Sequence, residues 1–173
     1  RLYQDVLDAV DENEGNQYVD YNQIQEMWYL EACIMESLRM YPITPLERST
    51  VKPYKISTGT SEFIVPKGML VQVPISFMKD PKYFKNPNTF DPENFSPENK
   101  SIRGPYPFIG FGHGPRNCIG MRFALLNLKI AMFRLVLNYK IIPCSKTVDE
   151  LIMDPKSITG APIGEIWVSV EQR

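Results

Sequence analysis

The chain has a single histidine, His113, in 173 residues. Histidine-rich metal sites are therefore excluded, and only one imidazole is available to assist a nucleophile. Cysteine is also scarce. Cys33, Cys118 and Cys144 are odd in number and widely spaced. No CxxC pair occurs, which excludes a zinc ribbon and a thioredoxin-type motif. A disulfide framework is not expected, which suits a reducing compartment. No run approaches the ~18 consecutive apolar residues of a membrane span. Excess charge of one sign is lacking too, since 19 basic and 20 acidic residues leave a net charge of -1. Global charge thus gives no reason to expect a nucleic acid partner. Residue 1 is Arg, and no signal-peptide pattern follows it. What is abundant is apolar side chain, 43% against 23% charged, the balance of a chain that buries a core. The length is that of one ordinary domain, or of a piece of something larger.

Residues 2–10 read as a short helix, with Leu2, Val6, Leu7 and Val10 apolar. An acidic loop is expected over 11–16. A longer helical pattern runs from about Tyr21 to Met40 and stops before Pro42, because proline disfavours helix in the residue preceding it. Short β-rich runs follow, Phe63-Ile64-Val65 and Leu70-Val71-Gln72-Val73. Pro66-Lys67-Gly68 between them predicts a hairpin turn. Residues 80–107 hold six prolines and predict a long meandering loop. A strong helix is expected from about Gly120 to Asn138. It is apolar on most sides, so it should be largely buried and covered from several directions. Strands are expected at Tyr139–Ile142 and Ile166–Val170.

The most informative segment is Phe111-Gly112-His113-Gly114-Pro115-Arg116-Asn117-Cys118-Ile119-Gly120. It is not a P-loop, because no Gly-Lys-Ser/Thr follows. It is not a Rossmann fingerprint either, because Asn117 stands where the third glycine belongs. What remains is a cysteine at the start of a helix, where backbone N–H groups favour the thiolate. The glycines at 112, 114 and 120 allow sharp turns and close approach to a flat ligand. Arg116 is placed to pair with a carboxylate on such a ligand. Phe111 supplies an apolar wall. The result is a shielded sulfur site offering one protein ligand, which suits a metal already held in a macrocycle.

The segment resembles the haem-binding loop of the cytochrome P450 family. The family pattern is Phe-Gly-x-Gly-x-Arg-x-Cys-x-Gly, and every fixed position is met. His113 falls at a variable place and reads as a loop residue. Glu36 and Arg39 lie three apart on a predicted helix and so share a face. On spacing alone they read as a solvated ion pair worth at most ~0.5 kcal/mol. They also match the family's Glu-x-x-Arg signature, upstream of the cysteine loop. In the family this pair joins an arginine from a Pro-Glu-Arg-Phe segment. The matching stretch here is Pro92-Glu93-Asn94-Phe95, so Asn94 leaves the third charge missing and implies a weaker or rearranged lock. Met78 is a second departure, at a place where many members carry histidine.

The resemblance covers the whole chain and implies a mainly α fold with small β-sheets. Residues 1–173 are expected to be the C-terminal portion, roughly a third, of a single cytochrome P450 domain. The N-terminal membrane anchor, the oxygen-activating helix above the haem and the proximal helix would lie outside it. Leu46-Glu47-Arg48 resembles the strand whose arginine binds a haem propionate. The implied haem b (iron protoporphyrin IX) site is then Cys118 as metal ligand, with Arg48, Phe111, Gly112, Gly114, Arg116, Gly120 and Ala124. Ile43, Thr44, Pro45 and Leu46 would overhang the distal face and contact substrate. Ile158 and Thr159, within the turn from Ser157 to Gly160, would face substrate.

Gly114 through Ala124 looks most like the animal microsomal, drug-metabolising branch. The implied activity is haem-thiolate monooxygenation of a lipophilic small molecule by dioxygen. Electrons would come from NADPH through a flavoprotein reductase, and Lys129 or Arg122 could help that partner dock or merely reach the surface. The implied location is the cytoplasmic face of the endoplasmic reticulum membrane. Two alternatives are a haem-thiolate peroxide isomerase, which needs no reductase, and a catalytically inactive fragment.

Overall fold

Residues 1–13, 20–157 and 160–173 are described by the structure, a computed structural model. Helix α1 (Leu2–Glu12) buries Val6 and Ala9 on one face. The helix expected over 21–40 is two helices, α2 (Tyr21–Glu26) and α3 (Trp28–Met40). A reciprocal capping box starts α2: Gln23 N donates to Asp20 Oδ1 at 2.9 Å, and Asp20 N to Gln23 Oε1 at 3.2 Å. The break falls at Met27 (φ -68, ψ 78), which packs into the apolar core. The nearby Gln25 carbonyl accepts from Lys129 Nζ at 3.0 Å. Tertiary contacts thus override a continuous helical pattern. Of the acidic loop expected over 11–16, Asp11 and Glu12 complete α1, and residues 14–16 fall outside the described residues.

Two apolar cores meet on α3. Leu30 joins Val6, Ala9, Ile24 and Phe133 in the first. Ala32 joins Met78, Phe84, Phe95 and Ile109 in the second. Helix α4 (Pro97–Arg103) lies inside the segment read as a meandering loop. Its ends are built from local chemistry: Asn99 N donates to Ser96 Oγ, Pro97 fills the first turn, and Gly104 turns the chain out at φ 71.

Helix α5 (Met121–Asn138) corrects an expectation. It is apolar on most sides, yet buries only Lys129 and Phe133. Phe123 is 73% exposed, and Leu128 and Ile130 are 42% and 40% exposed. The described elements that pack on α5 are α1, α2, α3 and the following strand. They cover one side of it, so apolar character alone does not bury the rest.

Among the described residues, six strands form three antiparallel pairs. Strand β1 (Leu46–Ser49) pairs with β4 (Leu70–Val73), and β2 (Tyr54–Ser57) with β3 (Glu62–Val65). The Pro66-Lys67-Gly68 turn therefore does not join a β3–β4 hairpin. Thr50 draws it elsewhere: Gly68 N donates to Thr50 O at 2.7 Å, and Thr50 Oγ1 to Pro66 O at 2.6 Å. This clasp delivers β4 to β1. Strand β5 (Tyr139–Ile142) pairs with β6 (Ser169–Gln172), later than the 166–170 expected. Trp167 is held outside the ladder, its carbonyl accepting from Thr147 Oγ1 at 2.6 Å.

Candidate functional site

Residues 111–120 form a closed loop leading into α5. Cys118 N donates to Phe111 O at 2.8 Å, joining the two arms, and Asn117 N donates to Gly114 O at 3.0 Å across the tip. Gly112 (φ 72) and Gly114 (φ 79) occupy the left-handed region, so both turns favour glycine. The His113 ring meets Tyr106 edge-on at 4.8 Å, pinning the tip from outside. Gly120 differs. It precedes α5 with an ordinary φ of -87, and a Cβ there would meet nothing within 4 Å. Nothing in the polypeptide requires glycine at 120, which fits a group approaching from outside the chain. Ala124 sits in the first turn of α5, its N donating to Gly120 O at 2.8 Å.

Cys118 is exposed at this loop. Among the described residues no three or more His, Cys, Asp or Glu side chains are arranged to hold a metal ion. The other two thiols differ from it. Cys33 is half-buried between helices, and burial, reinforced by Asp5, pushes its thiol up to about 11. Cys144 lies below the ordinary thiol value, chiefly through its hydrogen bond with Thr147.

Arg48 on β1 reaches the cysteine loop, its Nη2 donating to Arg116 O at 3.5 Å. The structure thus brings Arg48 to the backbone of Arg116 in the cysteine loop, with both side chains exposed and no carboxylate bridged to either among the described residues. Leu46 also approaches the loop: its Cδ1 lies 3.9 Å from where a Gly112 Cβ would be. The segment before β1 meets the C-terminal turn. A Cβ on Gly160 would lie 2.5 Å from Pro42 O and 3.3 Å from Ile43 O. Thr44 Oγ1 donates to Pro45 O at 3.3 Å, and Ile43 is 50% exposed. Ile158 and Thr159 lie outside the described residues.

Behind this surface, Glu36 and Arg39 are fully buried, so they are not a solvated pair. Arg39 grips the carboxylate with two parallel bonds, Nε to Oε2 at 2.7 Å and Nη2 to Oε1 at 2.8 Å. Its Nη1 donates to Met78 O at 3.0 Å and Pro87 O at 2.8 Å. Glu36 Oε1 also accepts from Asp91 N at 3.0 Å and Asn94 Nδ2 at 3.2 Å. The carboxylate is thus satisfied from three directions, as a buried charge requires. Met78 serves through its carbonyl, while its side chain is core.

A second buried cation was missed as such. Lys129 is fully buried and donates to Glu31 Oε2 at 2.8 Å, besides Gln25 O. It cannot dock a partner, whereas Arg122 is exposed. Burial works against the Glu31 charge, but Lys129 and then Lys100 overcome it and hold the carboxyl below its ordinary value. The sequence signal was available: one lysine within an otherwise apolar helical stretch.

The architecture is that of a mixed helical unit with small antiparallel sheets and one exposed thiol on a glycine-shaped loop. The profile of the family described as Cytochrome P450 matches residues 1–167, and the chain belongs to this haem-iron family. It is 38% identical over 175 aligned residues to Cytochrome P450 9e2 of Blattella germanica, covering 100% of this chain and 32% of that protein. It is 45% identical over 131 residues to Cytochrome P450 3A18 of Rattus norvegicus, covering 75% of this chain and 26% of the relative. Against Cytochrome P450 6a2 of Drosophila melanogaster the identity is 35%, over 99% of this chain and 34% of the relative. The chain spans about a third or less of the length of these curated relatives.

Proposed function

We propose that residues 1–173 form the C-terminal, thiolate-bearing part of a haem-thiolate monooxygenase domain. The observation that supports this most is the single exposed thiol of Cys118, on a loop turned by Gly112 and Gly114, with no competing set of metal ligands among the described residues. A lone sulfur suits a metal whose other ligands come with it. Cys118 would be the iron ligand of haem b. Arg48 and Arg116 would pair with its propionate carboxylates, since both are exposed beside the loop and neither is neutralised there. Phe111 would shield the sulfur, and Gly112, Gly114, Gly120 and Ala124 would admit the ring plane. When bound, haem supplies the chemistry that activates dioxygen, inserting one atom into substrate and releasing the other as water.

The chain's own residues then position and shield. The loop bond from Cys118 N to Phe111 O fixes the backbone that carries the sulfur. The Glu36–Arg39 pair anchors α3 to the segment that leads toward the loop. Ile43, whose carbonyl lies against the turn at Gly160, would with Thr44, Pro45 and Leu46 offer a mostly apolar wall to a lipophilic substrate. Electrons from NADPH through a flavoprotein reductase are the source that the family resemblance supports, and exposed Arg122 is the remaining candidate on α5 for that contact. The same resemblance supports a location on the cytoplasmic face of the endoplasmic reticulum membrane for the whole protein. No helix among the described residues is long and apolar enough to cross a membrane.

The test is spectroscopic. The whole protein loaded with haem, reduced and exposed to carbon monoxide, should give the strongly red-shifted band of thiolate ligation. Cys118→Ser should abolish that band, and a normal thiolate band in the Ser variant would overturn the assignment. Turnover that requires NADPH and reductase separates monooxygenation from peroxide isomerisation. Titrating haem into the 173-residue chain shows whether this part binds it unaided.

A further inference from the structure

The departure at Asn94 has a counterpart nine residues further along the chain. Ser96 and Pro97 start α4 immediately after the 92–95 turn, and Gly104 ends it. The helix carries its last residue, Arg103, back over the turn it left. Arg103 donates to the Asn94 carbonyl. Its guanidinium lies 4.7 Å from the Phe95 ring centre and 4.6 Å from that of Phe84. Arg39 lies 5.2 Å from the same Phe84 ring. Two cations therefore share one fully buried aromatic ring, beside one fully buried carboxylate.

Placing a cation here is costly on its own. Burial pulls the Arg103 guanidinium below its ordinary value, the charge of Glu36 works in the opposite direction, and Arg39 opposes the cation. Its Nε is buried and has no hydrogen-bond partner among the described residues. A solvent-facing arginine at the end of a short helix would not accept such a position. The hydrogen bond to the Asn94 carbonyl, cation–π contact with two rings and attraction to Glu36 hold it there.

We propose that Arg103 supplies the third charge of the Glu36–Arg39 cluster, delivered from α4 instead of from position 94. Asn94 then acts as the link: its side-chain amide donates to Glu36 while its carbonyl accepts from Arg103. The role concerns this chain's own ion cluster and stands or falls independently of the haem reading. It also bears on the site, because Arg103 is followed directly by the stretch whose Phe108 meets Phe95 edge-on at 4.9 Å and which continues to Phe111.

The test is relocation of the charge, read by urea unfolding of the whole protein that carries this chain. Arg103→Met keeps an apolar contact with both rings but removes the cation. It should lower the folding equilibrium constant about tenfold or more, the size of losing a charged hydrogen bond. Adding Asn94→Arg to Arg103→Met should recover most of that loss. In the parent background Asn94→Arg should give no gain, because it adds a like charge beside Arg39 and Arg103. Equal stability of Arg103→Met with and without Asn94→Arg would overturn the proposal. A gain from Asn94→Arg in the parent chain would overturn it too, and this single variant decides the matter if neither Met variant folds.

Discussion

Helix α3 buries Glu36 and Arg39 completely, whereas α5 is apolar on most sides and leaves Phe123, Leu128 and Ile130 exposed. The difference lies in what the rest of the chain brings to each helix. Around α3, the carbonyls of Met78 and Pro87, the amide of Asp91 and the side chain of Asn94 all converge on one ion pair. Every donor and acceptor of the Glu36–Arg39 pair finds a partner, so its burial is tolerated. Around α5 the described residues of this chain, which spans about a third of its relatives' length, supply α1, α2, α3 and β5 and leave the opposite face open. Burial in this chain is thus set by available partners as much as by hydrophobicity. Even the buried positions of α5 follow that rule, since Lys129 is buried because Glu31 and the Gln25 carbonyl meet it.

The comparison can be broken most decisively at Glu36. Glu36→Ala strands the Arg39 guanidinium and should cost about 3–5 kcal/mol in urea unfolding of the chain. A loss under ~1 kcal/mol would mean that the α3 pair is as dispensable as a surface pair. Phe133→Ala removes the one buried aromatic of α5, and its expected cost is about 3 kcal/mol. Lys129→Met comes next at about 1–3 kcal/mol, because it leaves the Gln25 carbonyl and the Glu31 carboxylate without their cation.

The acid limb of stability sharpens the same point. The Glu31 carboxyl lies below its ordinary 4.5 in the folded chain, so near that pH the unfolded chain binds more protons. Its contribution is fully present above 4.5 and is lost as pH falls through the lower folded value. Lys129→Met should flatten this loss in a pH series of unfolding midpoints. The smallest effect belongs to the exposed face of α5. Phe123→Ser should change stability by no more than ~0.5 kcal/mol, and a larger loss would show that this face is covered.

Much of the site was legible because its chemistry is local. Gly112 and Gly114 require left-handed turns, and the loop they make presents Cys118. Glu36 and Arg39 share a helix face at any tertiary fold that keeps the helix. Other features were not legible. The sequence cannot show that Thr50 clasps the 66–69 turn and sends β4 to β1, because that pairing spans a long stretch of chain. It cannot show the break at Met27, where packing and a distant lysine outweigh helical periodicity. Arg103 lies in the stretch expected to be a meandering loop, and only the return of α4 over Phe95 gives it a partly buried role.

The sequence by itself determined the elements with short-range causes: the cysteine loop, the stop before Pro42, the helix into Asn138 and the Glu36–Arg39 face. Tertiary structure decided which charges are buried and which apolar side chains are not. Burial depends on groups far apart in sequence arriving together, and no local pattern encodes whether a partner arrives.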